Sequence, residues 1–106
     1  MEGLPNQERK IEKSEVIELL KTRGFEDPEV KEFVTQWTLQ REALVNQEST
    51  ATASITLNMD RADLYVAIGD IEGALEALED ARLQAHQENE TELYNQIMAK
   101  MDEIEG

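Results

Sequence analysis

Residues 62–81 read ADLYVAIGDIEGALEALEDA. Apolar residues recur there at three- and four-residue steps on both sides of one interruption, Gly69-Asp70, and this pattern constrains the chain more than any other. Met59, Ala62, Tyr65, Val66 and Ile68 make the apolar stripe of one helix. Ile71, Ala74, Leu75, Leu78, Ala81 and Ala85 make that of the next. Gly69 suits the left-handed position past a helix end, and Asp70 is a good N-cap. A two-residue break between amphipathic helices turns them antiparallel, so the segment reads as a helical hairpin. Alanines along its seam let the two backbones approach closely, with larger residues filling the space between.

The flanking sequence is helical as well. Ser14 is the expected cap of a helix carrying Val16, Ile17, Leu19 and Leu20, which Gly24 ends. Asp27-Pro28 opens a second, with Val30, Phe33, Val34, Trp37, Arg41, Leu44 and Val45 along about five turns, ending at residues 46–49. Trp37 and Phe33 read as core bulk. STATASITL alternates at a strand period. No second strand is visible to pair with it, so it reads as a loop or cap entering a helix that starts between Ser49 and Ile55. A last helix is expected from near Asn89, with Leu93, Tyr94, Ile97, Met98, Met101 and Ile104 as its apolar face. Residues 1–12 form a polar lead-in, expected to fray. Residues 13–106 form a single all-α domain of four to five helices, an antiparallel bundle or right-handed array of helical hairpins; 106 residues suit one domain.

The hairpin resembles a tetratricopeptide repeat. Ala62 stands at the small position of the first helix and Tyr65 at its aromatic position. Gly69-Asp70 matches the turn, and Ala74, Leu78 and Ala81 match the small, large, small series of the second helix. The likeness covers one unit of roughly 34 residues, Ile55 to Glu88. Asn58 and Arg61 depart from it, standing where the family has bulky apolar residues. His86 stands where a proline often closes the repeat, and Gly73 is an unhelpful residue early in a helix. The resemblance implies a non-enzymatic protein–protein interaction module, an adaptor, regulatory or chaperone-like protein, that receives its partner on the face of the first helix. That face would show Met59, Asp60, Asp63 and Val66, with Thr56 and Ala67 beside them. Two aspartates favour a basic or amphipathic segment of another protein, and Met59 and Val66 supply adaptable apolar contact. The competing expectation is that the N-terminal helices cover this face and bury Met59 and Val66. A second segment, LLKTRGFEDPEVKEFV, is similar to the Gly-Phe turn of ubiquitin-associated domains at Gly24 and Phe25. A helix C-cap with Phe25 packed on the core accounts for it more simply.

Charge narrows the partners. With 24 acids and 10 bases the net charge is -14. Residues 1–50 carry 11 acids and 7 bases, and residues 51–106 carry 13 and 3. Such a chain repels nucleic acid and anionic membranes, which need Lys and Arg. The same excess supports an alternative function, an acidic mimic of nucleic acid that inhibits a basic protein. A further alternative is a structural homodimer joined through Met98 and Met101.

No feature marks an enzyme, a metal site or a cofactor. There is no cysteine. His86 and Glu90 are four apart, but one histidine without cysteine makes a poor metal site. Glu72, Glu76 and Asp80 line one helix face and read as solvated. No calcium loop or phosphate-cradling glycine loop is present, and Ser14, Ser49 and Ser54 lack a nucleophile motif. No apolar run suits a signal sequence or the ~20 residues of a membrane span, so a cytoplasmic location is expected.

Overall fold

The computed structural model describes residues 10–106. They form five helices: α1 (Lys13–Arg23), α2 (Pro28–Glu48), α3 (Ala51–Ala67), α4 (Ile71–Gln87) and α5 (Thr91–Glu105). The fold is all-α, with no strand among the described residues.

Local chemistry sets most helix ends where the side chains predict them. The Asp27 carboxylate accepts from the Glu29 N–H at 2.8 Å, with Pro28 in the first turn of α2. The Thr50 hydroxyl accepts from the Ala53 N–H at 3.1 Å and starts α3. Asp70 accepts from the Gly73 N–H at 2.9 Å and starts α4. At α1 the cap differs from expectation. Glu12, not Ser14, is the N-cap, and its N–H donates to the Glu15 carboxylate at 3.0 Å. The lead-in also ends earlier than residue 12. Residues 1–9 lie outside the described residues, but Ile11 is already buried, and its N–H donates to the Gln40 side chain at 2.9 Å. An apolar side chain with an anchored amide docks the chain just before α1.

The two turns after α3 and α4 are copies of one geometry. The Asp70 N–H returns to the Tyr65 carbonyl at 2.9 Å and the Gly69 N–H to Val66 at 3.0 Å. One helix later, Glu90 returns to Ala85 at 2.9 Å and Asn89 to His86 at 3.3 Å. Each is a paired closure of helix-end carbonyls around a left-handed residue, Gly69 at φ 80° and Asn89 at φ 60°. Asn89 therefore belongs to the turn, and α5 begins at Thr91.

Gly73, out of place by helix propensity, has a steric reason. A Cβ there would lie 2.7 Å from the Asp70 carboxylate and 2.9 Å from the Tyr65 ring. Its absence lets the cap and the ring of α3 close over the first turn of α4.

Two cores share α3. One joins Ile55, Met59 and Ala62 of α3 to Ala74, Leu78, Ala81 and Ala85 of α4 and Ile97 of α5. The other joins Leu57 and Leu64 of α3 to Ile11, to Val16 and Leu20 of α1, and to Val30 and Trp37 of α2. This explains the strand-like alternation of STATASITL. Residues two apart on a helix point roughly 200° from one another, so Ile55 and Leu57 serve opposite cores. Helices α3 and α4 pack closest, through alanines at 0–1% exposure. The molecule is a slab of 45 × 32 × 15 Å, little thicker than one helix of about 10–12 Å. Ile71, expected in the buried stripe of α4, stands 43% exposed instead, as the first residue of the helix at the end of the seam.

Candidate functional site

The four residues expected to form a partner face share α3 but differ in exposure and pairing. Met59 is buried in the core between α3, α4 and α5. Val66 is 41% exposed near the end of α3. Asp60 and Asp63 are half-buried, and cations of this same chain hold both. Lys13 of α1 bridges them, with Nζ 3.0 Å from Asp60 and 2.8 Å from Asp63. Arg41 of α2 pairs with Asp60 at 2.7 Å and lies over the Trp37 ring. Lys100 of α5 pairs with Asp63 at 3.1 Å. Five charges thus tie α1, α2 and α5 to α3.

Burial opposes the charge of Asp63, but hydrogen bonds from Lys13 and Lys100 outweigh it and hold the carboxyl below its ordinary range. Burial likewise opposes the charge of Lys13, and the two aspartates outweigh it and push the ammonium up. Both aspartates are therefore occupied by cations of this chain. Their chemistry is that of a fastening between helices, three bases against two acids.

On a different side of α3 the surface opens. A cleft of about 240 Å³ lies between the α1–α2 hairpin and the end of α3. Its lining is mostly apolar: Leu20, Phe25, Val34, Leu64, Tyr65 and Ile68, with Thr38, Arg61 and Asp70 as polar members. Phe25 and Ile68 are 39% and 37% exposed at this site. Phe25 thus stands at a cleft and is not sealed in the core. The Thr38 hydroxyl donates to the Val34 carbonyl, and Asp70 is occupied as the cap of α4. The volume falls below the ~300–1,000 Å³ of small-molecule sites, so the cleft suits one or two side chains.

Sequence reasoning missed this cleft. Its one signal was Arg61, which stands where the resembled family has a bulky apolar residue. In the fold that side chain stands in the cleft wall. Other candidates lie apart from it. His86 is exposed, tilted against Tyr94 with ring centroids 6.1 Å apart. No cluster of metal-binding residues occurs among the described residues. None of their helices is long and apolar enough to cross a membrane. Compared with protein-family models, curated proteins and solved structures, the chain matches none of them.

Proposed function

We propose that the chain is a non-enzymatic protein-interaction module, built on a tetratricopeptide-like hairpin, that receives an amphipathic segment of a partner protein. The observation that carries this reading is the cleft beside Arg61. It is apolar, half-open and sized for side chains, and exposed Phe25 and Ile68 extend its apolar surface. In a chain of net charge -14, such a surface admits a segment whose apolar residues enter the cleft and whose flanking bases meet the acidic surroundings. The ion pairs of Asp60 and Asp63 move the expected partner site off the aspartate face, since a basic segment there would have to displace Lys13, Arg41 and Lys100 together.

The test compares the full chain with a Phe25→Ser/Ile68→Ser variant as bait, with stepped salt elution. A partner held by the wild type at high salt and lost by the variant supports the cleft, because apolar contact survives screening. Capture lost by both at modest salt favours the acidic mimic. Light scattering that shows two copies per particle favours the homodimer.

A further inference from the structure

Among the described residues, five bases are half-buried: Lys13, Arg41, Arg61, Arg82 and Lys100. Four have acidic partners at 2.6–3.1 Å. Arg61 has no salt bridge and no hydrogen bond to any side chain. In a chain with 24 acids, a half-buried arginine left unpaired is the exception among these five. It also sits in the wall of the one cleft described above. Asp70 shares that wall but gives its carboxylate to the Gly73 N–H and makes no ion pair with Arg61.

From this we infer that Arg61 is the polar anchor of the cleft, and that the segment it takes carries an acidic side chain close to a bulky apolar one. The inference rests on the cleft being a docking site and adds the chemistry of its occupant. A guanidinium presents planar, paired donors that match a carboxylate, and pairing strengthens where apolar walls exclude water. Leu64 and Tyr65 of α3 and Ile68 at its C-cap lie within two turns of Arg61 and offer the apolar side of the same site. The carboxylate belongs to an internal Glu or Asp and not to a chain end. Phe25 approaches from the α1–α2 loop and Ile68 from the end of α3, and both remain exposed, so the apolar surface extends past the cavity and fits a segment that runs on.

The test uses the full chain, isotope-labelled, with amide-resolved titration of three capped tetrapeptides. These are Ac-Glu-Leu-Leu-Phe-amide, its Gln counterpart, and Ac-Gln-Leu-Leu-Phe with a free terminal carboxylate. All three are expected to shift the amides of Leu64, Tyr65 and Ile68. The Glu peptide should bind the wild type about fivefold tighter than the Gln peptide, in line with a partly solvated charged hydrogen bond. In Arg61→Gln, a substitution on a half-exposed position, the preference for the Glu peptide over the Gln peptide should vanish. Equal binding of the Glu and Gln peptides to the wild type overturns the role of Arg61 and leaves the cleft as a docking site. Tightest binding by the free-terminus peptide overturns the internal carboxylate. No shift at the cleft amides with any peptide overturns the docking site itself and the inference with it.

Discussion

Asp63 shows how an acid without a visible partner in the sequence is engaged twice in the fold. Its carboxylate joins α1 to α5, through Lys13 at 2.8 Å and Lys100 at 3.1 Å. Replacing it with Asn should lower stability by about 1–2 kcal/mol, since two half-buried cations lose a shared partner. Thermal melts should show a fall of roughly 5–10 °C. The pH dependence has a definite sign. A carboxyl held below its ordinary range adds stability above its unfolded value of about 3.9, and this is lost as pH falls through the folded value. The gap between wild type and Asp63→Asn should thus be full at pH 7, begin to narrow near the unfolded value of about 3.9, and close only as pH falls below the folded value. Lys13, pushed up, adds stability below about 10.4 and loses it only as pH rises past its folded value. Gly73 carries a second prediction at this scale. Gly73→Ala gains helix propensity of about 1 kcal/mol, yet the added methyl meets the Asp70 cap and the Tyr65 ring below 3 Å. A lower denaturation midpoint for Gly73→Ala is expected, and a higher one would show that the cap yields freely.

Helix by helix, the paired turns make a controlled comparison. Gly69 and Asn89 hold equivalent left-handed positions in equivalent hydrogen-bonded closures. Asn89→Gly should stabilise by a few tenths to about 1 kcal/mol, because glycine adopts this conformation without the Cβ penalty. Gly69→Ala should destabilise by about 1–2 kcal/mol, and since nothing lies within 4 Å of its would-be Cβ, the cost is conformational. Urea midpoints moving in opposite directions would confirm both. At the α3–α4 seam the alanines have no room to spare. Ala81→Leu should cost about 1–3 kcal/mol or more by overpacking, while the same change on an exposed face would cost little.

Across the whole molecule, α3 is the structural axis. It contributes buried residues to both cores and both acids to the ion network. A slab one to two helices thick has no separate centre, so each outer helix is buried on one side only. Native-state hydrogen exchange should therefore be slowest in α3 and its partner α4, and faster in the outer helices α1, α2 and α5. Uniform protection across all five helices would show that the two cores open only together. The same geometry places the cleft at the junction of the halves, where the α1–α2 hairpin meets α3 and Arg61 stands in its wall.

Much of this fold is legible in one dimension because its causes are local. Helical spacing, Asp27-Pro28, the Gly69-Asp70 turn and the alanine seam act within a few residues of themselves, and the helices they predict are those observed. The alternation in STATASITL misleads only because a helix buried on two sides shows apolar residues two apart, and burial on two sides is not a local property. What each face of α3 meets was decided by tertiary structure alone. The sequence shows Asp60 and Asp63 as unpaired acids in an acidic chain, because their partners at 13, 41 and 100 are brought in by the packing of three other helices. It shows Arg61 as a mere departure from a pattern, because a missing partner exists only once every neighbour has been placed.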